Sequence, residues 1–317
     1  MSQIKAGVVG VGHLGYHHAR NYASLEGVEL AGVVDIDPAH AEKAGADFRA
    51  RVCGSVRELV DQGVEVVSVA VPTTQHHAVV MDLLEAGVDV LVEKPIAATV
   101  AEARSMVEKA CRGSRVLQVG HIERFNGAVL ALAKVVRSPR FIECHRLSPY
   151  PSRGDDVSVV HDLMIHDLDL ALALVGSPVV QVDAVGVPVF SKYEDIANAR
   201  IRFESGCVAN LTCSRISMER MRKIRVFEQD AYLSTDYSEQ EVLVYRKKPG
   251  RVEPGHSPME LVTVESLPVE RDEPLKRELQ SFVDCVRNGR RPVVSGEDGL
   301  AALELAQRVI NAIRGSG

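Results

Sequence analysis

Along the first 120 residues, short apolar runs alternate with stretches whose apolar residues recur every three or four positions. The runs are Ala6 to Val9, Val28 to Val34, Val64 to Val71, Val88 to Val92 and Val116 to Val119. Each is short, bounded by Gly, Asp or Pro, and lacks polar alternation, which predicts strands buried on both faces in a parallel sheet covered by helices. Between them Gly15 to Leu25, Pro38 to Ala46, Val56 to Asp61, His76 to Ala86 and Val100 to Ala110 carry helical spacing. The series is βαβ.

Past residue 120 the period changes to longer alternating segments: Phe141 to Leu147, Val179 to Pro188, Ala197 to Phe203, Cys207 to Ser214, Lys223 to Phe227 and Glu241 to Tyr245. Glu204-Ser205-Gly206 separates two of them as a hairpin would, so a mostly antiparallel sheet is expected. Helices are expected at Val159 to Leu174, Leu275 to Arg287 and Asp298 to Ile313, and an exposed loop at Lys247 to Pro258. The expected fold class is α/β: a doubly wound parallel sheet in residues 1–120, then an α+β domain with a mostly antiparallel open sheet in residues 121–317.

Composition supports a folded protein. Of 317 residues, 46% are hydrophobic and 25% charged, and 37 Lys and Arg against 43 Asp and Glu leave a formal charge of −6. At roughly 100–200 residues per domain, two domains are expected. No apolar run reaches the ~18 residues of a membrane span, and Met1 to Lys5 lead straight into a strand pattern, so a cytoplasmic location without a membrane partner is expected. The acidic balance argues against nucleic acid as a partner. The absence of Trp removes one stacking platform for bases. Arg215, Arg220, Arg222, Lys223 and Arg225 form the one basic stretch, read as a solvated strand face or as a neutraliser of an anionic substrate. The six cysteines stand in no C-x-x-C spacing and read as free thiols.

Gly10-Val11-Gly12-His13-Leu14-Gly15 follows a predicted strand and opens a predicted helix. Gly10 permits the tight turn, Gly12 lets a pyrophosphate approach the backbone and Gly15 allows close helix packing, while the helix N-terminus presents N–H donors. His13 and Leu14 lie within the same loop. Asp35, at the end of the second strand, is placed to accept hydrogen bonds from an adenosine ribose and to repel a 2′-phosphate, which favours NAD over NADP. Arg49 or Arg51 would weaken that preference by folding back.

Val92-Glu93-Lys94-Pro95 ends a strand on the ligand-binding side of an open α/β sheet. Lys94 there can donate to a substrate oxygen beside a nicotinamide, and Glu93 is grouped with the cofactor-binding residues. The plain alternative is a surface lysine before a proline turn. In His161-Asp162-Leu163-Met164-Ile165-His166, Asp162 and His166 are i,i+4 and share a helix face, so the carboxylate can orient the imidazole as a general base. A metal site built on His161, Asp162 and His166 is the rival, disfavoured by the i,i+5 spacing of the histidines; no metal is expected. Asp167 and Asp169 read as surface and supporting groups, and His17, His18 and His77 as helix-packing or surface groups. Tyr150 and Arg153 precede the helix within reach of a substrate.

Taken in order, Gly10 to Gly15, Glu93-Lys94-Pro95, Asp162 and His166 with Asp167-Leu168-Asp169, and Ser295-Gly296-Glu297-Asp298-Gly299 resemble the Gfo/Idh/MocA oxidoreductase family nearly end to end. The resemblance implies an NAD(P)-dependent enzyme acting on a sugar or cyclitol CH–OH group. It implies a Rossmann domain followed by an α/β domain whose open sheet often forms oligomer contacts, hence a homo-oligomer, dimer or tetramer. The family's lysine falls on Lys94, its aspartate on Asp162 and its histidine on His166. Val71, Pro72, Thr73 and His76 match a loop that lies along the cofactor. Arg124-Phe125-Asn126 is followed by Gly127 where the family commonly has proline. His121 to Asn126 and Glu143 to Tyr150 are similar to a branch that oxidises nucleotide sugars, UDP-N-acetylglucosamine at C3 in particular, and place His121, Arg124 and Tyr150 as substrate candidates. An inositol or free-sugar dehydrogenase is the alternative within the family, and a non-catalytic dinucleotide and sugar sensor is the alternative outside catalysis.

Overall fold

The computed structural model describes residues 3–150, 157–250 and 257–315. The first elements are β1 (Ile4–Val9), α1 (His13–Ser24), β2 (Val28–Val34), α2 (Pro38–Phe48), β3 (Arg51–Val52), α3 (Val56–Val60), β4 (Val66–Val69), α4 (Thr73–Glu85), β5 (Asp89–Glu93), α5 (Val100–Gly113), β6 (Leu117–Gly120) and a 3₁₀ turn, Ile122–Phe125. Then come α6 (Gly127–Val135), β7 (Phe141–Leu147), a π turn (Val160–Met164), α7 (Ile165–Val175), β8 (Val179–Val187), β9 (Ile196–Phe203), β10 (Val208–Ser214), β11 (Met221–Phe227), β12 (Ala231–Asp236), β13 (Glu241–Lys247), β14 (Val262–Ser266), α8 (Pro274–Asn288) and α9 (Gly296–Gly315). The segment expected to loop from Lys247 to Pro258 lies partly outside the described residues.

Two compact units result: residues up to Phe125 with Glu273–Leu303, and Asn126–Asp272 with residues from Glu304 on. The first holds a six-stranded sheet of order β3-β2-β1-β4-β5-β6, in which every pair is parallel. Its central strands are mostly apolar because α-helices cover both faces; β4 and β5 contribute Val66, Val67, Val69, Val90, Leu91 and Val92, all fully buried. Sequence position alone placed everything after residue 120 in the second domain, whereas α8 belongs to the first unit. Its stripe of Leu275, Leu279, Phe282 and Val283 packs with Ile4, Val8, Tyr22 and Leu91 in one core cluster. The helices carry their own stop and start signals. Thr99 and Glu102 form a reciprocal capping box on α5, worth about 1 kcal/mol for the cap alone.

The second unit holds an eight-stranded sheet of order β14-β13-β12-β11-β7-β10-β9-β8, antiparallel except for the β7–β10 pair. Alternation in β7, β9, β10 and β11 sends Ile142, Cys144, Ala199, Ile201, Leu211, Ile224 and Val226 into the core. The opposite face is half-exposed and carries Phe141, Phe227, Tyr232 and Tyr245 in a continuous ladder, with ring centroids 5.6, 4.8 and 5.1 Å apart in succession. Among the described residues no helix is long and apolar enough to cross a membrane.

Candidate active site

The parallel strands of the first unit end on one edge, and the loops that follow bring the candidate cofactor residues together there. β1 and β4 are neighbours at the point where the strand order reverses, the place where open α/β sheets bind ligands. Gly10 has φ +82°, and a Cβ there would lie 2.8 Å from the Ala70 backbone. A Cβ on Gly15 would lie 1.7 Å from the Gly10 carbonyl oxygen, so only glycine lets α1 start this close to the strand. Nothing lies within 4 Å of a Cβ built on Gly12. That open backbone, at a helix N-terminus without an acidic residue in its first turn, fits a pyrophosphate. His13 and Leu14 are exposed beside it.

Asp35 follows β2, and its two carboxylate oxygens accept from the Val11 N–H at 2.7 Å and the Asp37 N–H at 2.9 Å. The carboxylate is thereby aimed before any ribose hydroxyl arrives, and each oxygen keeps a lone pair for one. Arg51 is paired with Glu58 at 3.2 Å, and Arg49 ends α2 in the left-handed conformation. Val71, Pro72 and Thr73 form the turn from β4 into α4. The His76 side chain is turned inward: its ring nitrogens lie 2.9 Å from the Val71 carbonyl and 3.0 Å from the Pro95 carbonyl. Burial lowers its pKa against those two carbonyl contacts. His76 therefore ties the β4 loop to the Glu93-Lys94-Pro95 turn, and any effect on the cofactor passes through those loops.

Lys94 stands just beyond β5, joined to Pro95 by a cis peptide bond. Beneath it Glu93 accepts from His18 Nε2 at 2.9 Å and from the Lys94 backbone N–H at 3.3 Å. Burial works to raise the Glu93 carboxyl, but His18 and the Lys94 charge outweigh it and hold the group below the usual carboxylate range. His18 is thus a packing residue with a specific polar partner. His121 is buried directly after β6, and Arg124 is half-buried on the 3₁₀ turn.

In the second unit Asp162 and His166 are both half-buried. The helix that bears them is not uniformly α: Val160–Met164 is a π turn, and α geometry begins at Ile165. Such turns widen the helix and recur at functional sites; the strict i,i+4 geometry assumed from spacing is altered at this junction. Asp167 is not a surface group. It is 2% exposed and receives two hydrogen bonds from buried Arg146, at 3.0 and 2.9 Å, and Asp169 is equally buried. The pair anchors α7 to β7. Tyr150 is exposed and packs edge-on against Phe190 at 5.5 Å; Arg153 lies outside the described residues. Among the described residues no three His, Cys, Asp or Glu side chains are grouped to hold a metal ion.

The basic stretch also divides differently from a solvated face. Arg215 is fully buried and donates to Asp195 at 2.8 Å, to the Val157 carbonyl and to Ser191 Oγ. Arg225 pairs with Glu143 at 2.7 Å and Lys223 with Asp236 at 3.2 Å. Sequence reading missed the His18–Glu93 pair and Glu278, a fully buried acid on α8. The available signal was Glu278 itself, a charged residue within the apolar stripe of Leu275, Leu279 and Phe282.

The fold and the glycine turn are those of a dinucleotide-dependent oxidoreductase. Comparison with known proteins agrees: residues 4–121 match the model of the oxidoreductase family with an NAD-binding Rossmann fold, and residues 146–317 match that family's C-terminal alpha/beta domain. The chain belongs to the Gfo/Idh/MocA oxidoreductase family, and its first domain takes a nicotinamide dinucleotide. It is 36% identical over 314 residues to the UDP-N-acetylglucosamine 3-dehydrogenase of Acidithiobacillus ferrooxidans, covering 99% of this chain and 98% of that one. A solved structure of that enzyme superposes with a TM-score of 0.93 over 99% of each chain, at 36% identity. The scyllo-inositol 2-dehydrogenase (NAD(+)) of Bacillus subtilis is 26% identical over 333 residues, covering 98% of this chain and 94% of that one.

Proposed function

We propose that this enzyme oxidises a secondary hydroxyl of a nucleotide sugar, UDP-N-acetylglucosamine at C3, with NAD preferred over NADP. The observation that carries the substrate reading is the 36% identity, across nearly the whole of both chains, to a UDP-N-acetylglucosamine 3-dehydrogenase. An inositol dehydrogenase, as in the 26% identical relative, is the second reading. The aimed carboxylate of Asp35 supports NAD, since a 2′-phosphate would meet its charge.

When bound, the oxidised nicotinamide supplies a hydride acceptor. His166 takes the hydroxyl proton of the substrate, and Asp162 orients the imidazole and steadies the positive charge it gains. Lys94 donates a hydrogen bond to a substrate oxygen and so favours alkoxide character as a carbinol becomes a ketone. His121, Arg124 and Tyr150 are the proposed sugar and diphosphate contacts. The aromatic ladder on the half-exposed sheet face supports self-association as a dimer or tetramer, which Tyr232→Glu is expected to weaken in light scattering.

The test is to mix the purified protein with NAD or NADP and UDP-N-acetylglucosamine, other UDP-sugars, inositols or free hexoses, and to follow the reduced-nicotinamide absorbance. Turnover with UDP-N-acetylglucosamine and NAD is expected to exceed every other pair. Faster turnover of an inositol would transfer the reading to the second one. Sugar binding without any absorbance change would instead indicate a sensor.

A further inference from the structure

Three elements of the first unit meet at the Glu93 carboxylate. His18 on α1 lies with Nε2 2.9 Å from Oε1, and the Lys94 backbone N–H donates to Oε2 at 3.3 Å. A carboxylate only accepts, so the imidazole nitrogen is the donor. Gly120 of β6, paired in register with Glu93 of β5, leaves room for the group: a Cβ there would lie 3.0 Å from Oε2 and 3.1 Å from the carboxyl carbon. One oxygen is thus held by the helix that opens at the glycine turn, and the other by the turn that carries Lys94. His18 is fully buried, and its Nδ1 has no partner among the described residues, so its one directed polar contact is Glu93. The donor is itself held in place. Tyr22, four residues further along the same face of α1, shares a hydrogen bond of 2.9 Å with Ser68 of β4, and both side chains are fully buried.

We propose that His18 is a positioning residue for Lys94: by fixing the Glu93 carboxylate it locks the turn that carries the lysine to α1, the helix whose N-terminus faces the dinucleotide. The proposal rests on the role given above to Lys94. Without the imidazole N–H, Oε1 of Glu93 is left without its donor, and the carboxylate shifts to recover one, taking the hydrogen-bonded Lys94 N–H with it. Misplacement of a reacting or stabilising group by about 1 Å is enough to slow a reaction severalfold or more. The backbone of the glycine turn and the Asp35 carboxylate make no contact with His18, so dinucleotide affinity is spared.

The test compares His18→Leu, which removes the donor, with His18→Gln, whose amide N–H can reach the same oxygen. Turnover is measured with NAD and UDP-N-acetylglucosamine, and NAD Kd by titration of the free enzyme. His18→Leu is expected to lose about tenfold in kcat with the NAD Kd unchanged, and His18→Gln to recover most of that loss. Should His18→Leu fail to fold, His18→Met takes its place. The decisive measurement repeats His18→Leu in a Lys94→Ala background. A residue that acts through Lys94 has nothing left to position there, so no further loss in kcat is expected, whereas a merely structural histidine would lower kcat by the same factor in both backgrounds. That equal loss, an undiminished kcat in His18→Leu, a glutamine variant as impaired as the leucine one, or an NAD Kd that weakens in step with kcat each overturns the proposal. Lys94→Ala alone separates the two levels of the argument. If it is impaired while His18→Leu is not, only the role of His18 falls; if it turns over normally, the Lys94 reading falls and the role of His18 with it.

Discussion

The two units of this chain build function from different materials. The first is a parallel sheet covered on both faces, and its candidate site is mostly backbone: three glycines, a helix N-terminus and carbonyls tied by His76. The second is a largely antiparallel sheet with one half-exposed face, and its candidate site is made of side chains on a helix that begins as a π turn. Backbone sites tolerate almost no added volume, whereas side-chain sites depend on charges and the partners that aim them. The buried polar groups show the same contrast. In the first unit the buried carboxyl oxygens of Glu278 have no hydrogen-bond partner among the described residues, while in the second Arg146–Asp167 and Arg215–Asp195 are buried, hydrogen-bonded ion pairs.

The contrast is broken most directly at His166. His166→Ala is expected to lower kcat by about 10²- to 10⁴-fold while leaving NAD affinity intact, measured by titration of the free enzyme; equal loss of both would make this histidine structural. Next in size, Asp195→Ala leaves Arg215 buried without its counter-charge and is expected to cost about 3–5 kcal/mol in denaturant unfolding. Burial opposes ionisation of Asp195, but the Ser191, Phe190 and Val189 N–H groups and Arg215 prevail and depress its pKa. Its contribution is therefore complete above the unfolded value near ~3.9 and lost as pH falls through the lower folded value. The parent and Asp195→Ala should converge in melting temperature under acid.

Gly15→Ala forces a Cβ against the Gly10 carbonyl, and overpacking of this kind costs about 1–3 kcal/mol. It is expected to weaken dinucleotide binding more than it lowers the melting temperature, because the displaced turn is the one that faces the pyrophosphate. Asp35→Ala is expected to have the smallest effect, weakening NAD by about tenfold and sparing NADP, the scale of one lost charge-assisted contact. An unchanged ratio of the two affinities would remove Asp35 from cofactor selection.

Legibility in the sequence followed length and periodicity. β2 and β7 have the limits their patterns predict, because a run of seven apolar or alternating residues has few other solutions. β3 is two residues long, and α6 is a nine-residue apolar stretch from which period cannot tell helix from strand. β12 and β14, of six and five residues, are too short for their period to single them out. In the site, the glycines and Asp35 were legible because each answers a local geometric demand. Asp167 and Arg215 were misjudged as solvated because charge was visible and the partner was distant in sequence, at positions 146 and 195.

The amino-acid order alone determined the alternation of strand and helix, the change of period after residue 120 and the glycine turn, since these arise from backbone sterics and local apolar spacing. Only the tertiary structure decided that α8 returns to the first core, that the helix of His166 opens with a π turn, and which charges are buried. Those outcomes depend on residues brought together from far along the chain, where the cost of burying a charge is offset only by a partner that local pattern cannot reveal.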